Sequence, residues 1–318
     1  MIRSTRIRVG RNLDAFPLGP GISKEQRNQV EDAAEKAFKA FEGELKGTYY
    51  PLSGMDAKVQ KQLIEDHFLF KEGDRFLESC GLNRNWPEGR GIFHNEAKTF
   101  LVWVNEEDEF RIISMQPGAD IGAVFKRLSD ACTAIEKVAK FAHDDHLGYI
   151  TSCPTNLGTA LRASVHIHLP LLGSDKVAFQ KIADEFFVQI RGAHGEHTET
   201  NDHIYDISNR RRLGRSEVDL VQDMYNGVKK MIEAEMKLQM EKTAAATMDK
   251  KIEKEDPKDQ SKADTVVAPK ADAKVEDKKA EAAPAKVDEK KGDAPNWKVL
   301  DVEDKKAEAA PAKVEEKK

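Results

Sequence analysis

Residues 4–11 read STRIRVGR, and their alternation decides the fold. Ile7 and Val9 fall on one side of an extended chain, and Arg6 and Arg8 fall on the other side. Such a strand offers one face to a hydrophobic core and keeps guanidinium groups on the opposite face. The segment therefore predicts a sheet with one apolar side and one cationic side.

Further runs with strand-like composition follow, and most are close neighbours in sequence. They are GIFHN (91–95), TFLVWVN (99–105), FRIISMQ (110–116), LGYITSC (147–153), RASVHIHLP (162–170), FFVQIRG (186–192) and HIYDIS (203–208). Helical spacing of apolar residues is found at about 23–41, 56–66, 120–141, 174–187 and 216–242. Turn-linked strands with flanking helices predict an antiparallel sheet of the α+β class.

The composition of the chain changes after residue 242. Residues 243–318 contain 18 Lys and 19 Asp or Glu in 76 positions, and they repeat VEDKKAEAAPAKV at 275–287 and 302–314. Such a segment cannot bury enough apolar surface to offset the entropy lost on ordering. We therefore predict a folded domain over residues 1–242 and a disordered tail over residues 243–318.

Composition and motifs argue against several classes of protein. The 51 Lys and Arg against 56 Asp and Glu give a net charge of −5, so no nucleic-acid partner is expected. No stretch approaches the roughly 18–20 apolar residues that cross a bilayer, so no membrane partner is expected. The cysteines, Cys80, Cys132 and Cys153, lack CxxC spacing, which predicts free thiols, no metal site and a cytoplasmic location. P-loop and common protein-kinase motifs are absent.

Arginines stand at several strand ends and beside loops. They are Arg6, Arg8, Arg111, Arg162 and Arg191. An arginine at a strand end is usually a solvated surface residue. A group of them would instead suit the triphosphate of a nucleotide, because a guanidinium is always charged and offers a planar fork of donors.

Two acidic motifs and one cysteine suggest a second half of a site. Glu107 belongs to the NEEDE turn at 105–109, Glu196 belongs to the GEHTE loop at 195–199, and Cys153 precedes a proline. A turn exposed to water and an inert thiol are the ordinary interpretations of such features. Carboxylates together with a thiolate would bind a guanidinium.

Long stretches of the chain resemble the phosphagen kinases, the ATP:guanidino phosphotransferases. They include STRIRVGRNL, WPEGRGIFHN, FLVWVNEED, HDDHLGYITSCPTNLGTALRASVHI, RGAHGEHTE and YDISNRRRLG, and the resemblance runs from about residue 2 to 242. GEHTE and CPTN are similar to arginine kinases. The resemblance implies the family's eight-stranded antiparallel sheet flanked by helices, which is related to glutamine synthetase. It begins at the first arginine-bearing strand, so the family's small N-terminal helical domain is expected to be absent.

The resemblance also implies roles for residues at matching positions. Glu107 and Glu196 match carboxylates that grip a guanidinium, and Cys153 matches the reactive thiolate beside them. The positions that match nucleotide contacts are Ser4, Arg6, Arg8, His67, Arg111, Arg162, His166 and Arg191. Mg²⁺ is expected with ATP or ADP, held largely by the nucleotide and water.

The implied activity is reversible transfer of the γ-phosphoryl group of ATP to the guanidino nitrogen of L-arginine, which buffers ATP. Two alternatives stay open. One is a single-domain kinase that acts on arginine in proteins, and the other is a non-catalytic nucleotide-binding module tethered by its tail.

Three features near the predicted site carry separate expectations. Glu109 stands where a histidine is usual and is expected to add negative charge beside Arg111. His194 stands where an arginine is usual in the closing loop, so both positions predict weaker anion binding. The run Arg210–Arg212 is expected to be solvated or to flank a helix.

Overall fold

The computed structural model describes residues 1–66, 68–70, 72–192 and 202–252. Its strands are β1 (Ile2–Arg11), β2 (Gly47–Pro51), β3 (Gly91–Asn95), β4 (Phe100–Val104), β5 (Phe110–Pro117), β6 (His143–Asp144), β7 (Gly148–Tyr149), β8 (Leu161–His168), β9 (Val188–Gly192) and β10 (Ile204–Asn209). Eight of them form one antiparallel sheet in the order β2-β3-β4-β5-β1-β8-β10-β9. The predicted fold class is confirmed.

Helices flank this sheet, close to the predicted positions. They are α1 (Lys24–Phe38), α2 (Ala57–Glu65), α3 (Arg75–Ser79), α4 (Ile121–Glu136), α5 (Lys176–Glu185) and α6 (Glu217–Ile252). α1 begins with a capping box, in which the Ser23 hydroxyl accepts from the Gln26 amide and the Gln26 side chain accepts from the Ser23 amide. Within the described part of the chain, no helix has the length and apolar character to span a membrane.

β1 is the central strand because it pairs with both β5 and β8. Its apolar face, with Ile7 and Val9, is buried on the side where α4 packs against β1 and β5. An aromatic cluster extends this core, and in it the Phe93 ring lies 4.6 Å from Phe38 and 6.1 Å from Phe100. The alternation of STRIRVGR therefore orients the sheet as predicted, with its apolar residues facing the core.

The opposite face of the sheet is covered only in part by residues between β2 and β3. Leu52, Leu63 and Phe70 pack against Ile92 on that face, and Trp103 borders the same cluster. The Trp103 indole nitrogen donates to the backbone carbonyl of Phe68 at 2.6 Å. This cover lies over β2, β3 and β4, and it stops beside β5, where the arginine-bearing strands begin.

One predicted strand is wrong. Residues 147–153 are not a strand of the main sheet, and only Gly148–Tyr149 forms a short ladder, with His143–Asp144. Tertiary contacts take the backbone groups that a ladder would need: the Tyr149 amide donates to Gly158, and the Ser152 amide donates to the carboxylate of Asp108. Apolar composition alone does not reveal these competing partners.

The sequence analysis missed one strand and ended one helix too early. GTYYP forms β2, an edge strand that a short run between Gly47 and Pro51 signals only weakly. α6 continues to Ile252 instead of ending near residue 242, because residues 243–252 are rich in strong helix formers. Ten residues assigned to the disordered tail are therefore helical. The rest of that tail, residues 253–318, lies outside the described residues, and its predicted disorder stays a prediction.

Glu235 anchors α6 to the segment that follows β8. Its side chain is 0 % exposed and accepts from the backbone amides of Leu171 at 3.1 Å and Leu172 at 2.7 Å. Replacing Glu235 with alanine leaves these two amides without that acceptor. We expect the free energy of unfolding to fall by roughly 1–3 kcal/mol, measured by chemical denaturation.

The matched control for this prediction is Glu233→Ala on the same helix. Glu233 is exposed and forms a 3.4 Å surface pair with Lys230, so its loss should change the free energy of unfolding by no more than about 1 kcal/mol. Equal effects of the two substitutions would contradict the anchoring role of Glu235.

Candidate functional site

One face of the sheet carries four of the predicted arginines. Arg8 on β1 lies directly opposite Arg162 on β8, and Arg111 on β5 lies opposite Gly10. Directly opposed residues of an antiparallel pair share a face, as do residues two apart in one strand. Arg6, Arg8, Arg111 and Arg162 therefore project to the same side, as the strand alternation predicts.

The same face continues across β8, β10 and β9. His166 lies opposite Ser4 on one neighbouring strand and opposite Asp206 on the other, and Asp206 in turn lies opposite Arg191. The structure thus places Ser4, His166 and Arg191 on the arginine face. Asp206 was not predicted, although the alternation of YDIS with its neighbouring strands was a signal that could have found it.

The arginines of this face disfavour one another's charge. Burial, together with the positive charges of Arg111 and Arg162, lowers the pKa of Arg6 to about 10. Burial and the same two neighbours, together with Arg6, hold the pKa of Arg8 well below its usual value. The Nε atom of Arg6 is buried without a hydrogen-bond partner among the described residues. An anion bound here would relieve both the repulsion and the missing bond.

Carboxylates at the edges of this face compensate part of the charge. Arg111 contacts Glu107 at 2.7 Å and Glu106 at 3.1 Å, while Arg162 contacts Asp206 at 2.6 Å. All of these side chains are largely buried. In the structure, the carboxylate predicted to grip a guanidinium is therefore already paired with a guanidinium of the protein itself.

Burial raises the pKa of Glu107 above its ordinary value, although Arg111 opposes this shift. A carboxylate with a raised pKa is a better proton acceptor near neutral pH than an ordinary glutamate. Glu107 lies in the loop that joins β4 and β5, and it contacts Arg111 of the arginine face. The arrangement can bind a cationic group and take a proton from it.

Cys153 lies in the loop before β8. Its Sγ atom is 3.1 Å from the Thr155 hydroxyl, at the start of a short 3₁₀ turn over Pro154–Asn156. Cys153 also acts electrostatically on Arg212. Burial and the charges of Arg162 and Arg191 lower the pKa of Arg212, and Cys153 raises it. Arg212 thus interacts electrostatically both with Cys153 and with two arginines of this face.

The expectation that Arg210–Arg212 is a solvated or helix-flanking run is wrong for Arg212. This side chain is only partly exposed, and its Nε atom is buried without a partner among the residues that the structure describes. It lies three residues after the end of β10, so the rule applied to the other arginines, a guanidinium near a strand end, would have found it. Arg210 does pair at the surface, 3.1 Å from Asp184.

Glu109 does not add charge beside Arg111, and that expectation is wrong. Its carboxyl group is 1 % exposed and accepts from the Leu13 amide at 2.6 Å. Burial raises its pKa to about 8, so the group is mostly protonated at neutral pH. The NEEDE motif suggested a uniformly acidic turn, but Glu109 is held inside the protein because its amide donates to the Asn12 side chain and its carboxyl group accepts from the Leu13 amide.

Several predicted site residues cannot be placed. His67 and Glu196 lie outside the described residues, as does His194. Their assigned roles stay predictions. The structure therefore brings together Ser4, Arg6, Arg8, Arg111, Arg162, His166 and Arg191 on one face, with Glu107 and Cys153 beside them.

Comparison with known proteins identifies the family of this chain. Residues 29–238 match the family model described as ATP:guanido phosphotransferase, C-terminal catalytic domain. The chain belongs to the ATP:guanido phosphotransferase family. The resemblance seen in the motifs is thereby confirmed.

Curated relatives of this guanido phosphotransferase domain include arginine kinases. It is 56 % identical over 237 residues to the arginine kinase of Anthopleura japonica, covering 74 % of this chain and 33 % of that protein. Arginine kinase 1 of Drosophila melanogaster is 52 % identical, with 74 % of this chain and 66 % of that protein covered. The chain thus spans between a third and two thirds of the length of these relatives.

Solved structures of guanidino kinases share the fold. The substrate-free duplicated taurocyamine kinase of Schistosoma mansoni superposes with a TM-score of 0.71 at 48 % identity, covering 76 % of this chain and 34 % of that one. A lombricine kinase superposes with a TM-score of 0.72 at 42 % identity, covering 75 % and 67 %.

The buried Glu109 makes a prediction about the pH dependence of stability. Its pKa is near 4.5 when unfolded and about 8 when folded, so the folded state binds the proton more tightly. The stability that this proton contributes is complete below about pH 4.5 and is lost as pH rises through 8. Glu109→Gln should therefore be more stable than the native chain at pH 9, by up to a few kcal/mol.

The measurement is the free energy of unfolding of both proteins between pH 5 and pH 9. The difference should grow with pH, whereas Glu65→Gln, a change at an exposed position, should produce curves parallel to those of the native chain. A Glu109→Gln difference that stays constant over this range would show that Glu109 does not titrate there.

Proposed function

We propose that this chain catalyses the reversible transfer of the γ-phosphoryl group of Mg-ATP to the guanidino nitrogen of L-arginine. One observation carries the proposal: a face of mutually repelling arginines ends at Glu107, a largely buried carboxylate with a raised pKa. An anion and a guanidinium would meet at that border. L-Arginine is favoured because relatives named arginine kinases are 52–56 % identical to this chain.

In this proposal the arginine face binds the nucleotide. Phosphoryl transfer has a loose transition state, so binding geometry and charge stabilisation account for most of the acceleration. Arg6, Arg8 and Arg162 would hold phosphate oxygens, and Arg111 would contact the oxygens nearest Glu107. Because these groups are fixed on paired strands, they need little reorganisation as charge develops.

Mg²⁺ enters this proposal as part of the nucleotide substrate. The described residues contain no group of three or more His, Cys, Asp or Glu side chains that could hold a metal. The family resemblance implies a metal bound largely through phosphate oxygens and water. When bound, Mg²⁺ would neutralise further phosphate charge.

In this proposal Glu107, with Cys153 beside it, binds the guanidino group of the substrate. Glu107 would align the attacking nitrogen and accept its proton as the new N–P bond forms. In the structure Glu107 pairs with Arg111, and a phosphate group of the nucleotide would bind the same arginine. Nucleotide binding would therefore loosen the Arg111–Glu107 pair and release Glu107 for the incoming guanidinium. Glu196 would supply the second carboxylate.

We assign this function to residues 1–242 and place the protein in the cytoplasm. Cys80, Cys132 and Cys153 are all free thiols, which supports a reducing compartment.

The first test concerns nucleotide binding. Arg8→Ala should weaken Mg-ADP binding by about ten- to a hundredfold, since a hydrogen bond to a charged group contributes ~1.5–3 kcal/mol. Arg3→Ala is the matched control: Arg3 lies on the same strand but is exposed, and the register of β1 against β8 is irregular at this position. Isothermal titration calorimetry measures both, and equal affinities would exclude Arg8 from the nucleotide site.

The second test concerns transfer itself. Glu107→Gln should lower the transfer rate by about 10²–10⁴-fold, the contribution typical of a general base, while Mg-ADP affinity changes little. Phosphorus NMR would detect N-phosphorylated product from L-arginine, taurocyamine, lombricine, creatine or a protein substrate. Glu96→Gln, an exposed change in the β3–β4 turn, should leave the rate unaltered.

The acceptor that is phosphorylated separates the alternatives. Product on free L-arginine supports the proposal, and product only on protein would identify a protein-arginine kinase. Nucleotide binding without transfer to any acceptor would leave a binding module. Full activity in Glu107→Gln would show that the assigned base is wrong.

A further inference from the structure

A buried polar side chain joins the Glu107 turn to the Cys153 loop. Asn12, the first residue after β1, is 1 % exposed. Its Nδ2 group donates to the Asp108 carboxylate at 2.9 Å and to the Ile150 carbonyl at 3.0 Å. Its Oδ1 atom accepts from the Glu109 amide at 2.9 Å. All the hydrogen-bonding capacity of the amide group except one lone pair is therefore used between two loops distant in sequence.

Asp108 completes the connection. Its Oδ1 atom accepts from the Ser152 backbone amide at 2.7 Å as well as from Asn12. Asp108 is 3 % exposed, and its other oxygen lies close to the backbone of β1. A methyl group on Gly10 would come within 2.6 Å of that oxygen, so only glycine leaves room for the carboxylate. We call Asn12, Asp108 and the Ser152 amide the Asn12 clamp.

The clamp holds the two groups that face the guanidinium in the proposed function. Glu107 directly precedes Asp108, and Cys153 directly follows Ser152. In the part of the chain that the structure describes, the side chain of Glu107 bonds to Arg111 and that of Cys153 to Thr155, but no bond joins Glu107 to Cys153. Their separation therefore depends on bonds made by their neighbours.

We propose that Asn12 is a positioning residue, which sets the distance between Glu107 and Cys153 through the Asn12 clamp and thereby shapes the guanidino half of the site. The inference rests on the proposed function for its kinetic consequence. Its structural consequence, the placement of Cys153, can be measured without any transfer activity.

The kinetic experiment compares Asn12→Ala with Asn95→Ala in the full chain. Asn95 is also buried and also bridges backbone groups, since it donates to the Glu44 carbonyl at 3.0 Å and accepts from the Thr99 amide at 2.9 Å. It lies at the β3–β4 turn, outside the site. Both substitutions should therefore cost similar stability, and only Asn12→Ala should disturb the guanidino pocket.

For Asn12→Ala we expect kcat/KM for the guanidino substrate to fall by about ten- to a hundredfold, because a displacement near 1 Å can cost that much. Mg-ADP affinity should stay within about twofold, since the arginines that would bind the nucleotide are not part of the Asn12 clamp. Asn95→Ala should alter neither quantity. Equal losses in both variants would overturn the proposal, because they would reflect stability alone.

The second readout is the alkylation rate of Cys153, measured by mass spectrometry of its peptide. Loss of the clamp should free the Ser152 backbone and make Cys153 react several-fold faster in Asn12→Ala than in Asn95→Ala. An unchanged rate would overturn the proposal. If the native chain transfers phosphate to no guanidino compound, the proposed function fails, and this rate still decides whether the clamp exists.

Gly10→Ala provides an independent route if Asn12→Ala folds poorly. The added methyl displaces Asp108 while Asn12 is kept, so the same change in Cys153 reactivity should follow. Native reactivity in a folded Gly10→Ala protein would show that Asp108 does not hold the cysteine loop.

Discussion

The constraint that the rest of the structure must offset is the repulsion among guanidinium groups that strand pairing forces onto one face of the sheet. Arg8 and Arg162 are directly opposed, and Arg6 and Arg111 add charge that lowers the pKa values of their neighbours. Such a face is unfavourable without anions, and the apolar opposite face of β1 offsets its cost. Hydrophobic burial on one side of a strand thus holds a cationic surface ready on the other side.

Carboxylates compensate only part of this charge, and one of them, Glu107, has a second role in the proposed function. Glu107 and Asp206 pair with Arg111 and Arg162 in the structure without ligands. In the proposed function, an arriving polyphosphate would compete with them for the same guanidinium groups. The passage from self-paired to ligand-paired charges would then be an exchange of partners around the same guanidinium groups.

Local periodicity predicted most of the fold, since alternation in STRIRVGR and helical spacing elsewhere are determined by neighbouring residues. It failed at residues 147–153, where Asp108 and Gly158 take the backbone hydrogen bonds, and at Glu109, whose side chain turns toward the Leu13 amide. Both failures depend on residues far away in sequence. Arg212 and Asp206 could have been found, because they obey the strand-end and alternation rules that identified the other site residues.

The position of β1 at the centre of the sheet has a consequence for how the chain acquires its structure. β1 is synthesised before its neighbours β5 and β8, which begin about 100 and 150 residues later in the chain. Closing such long loops gives the domain a high contact order and slow folding. During synthesis, the nascent strand must wait with its edges unpaired, which leaves it open to chaperones and to mispairing until both partner strands have emerged.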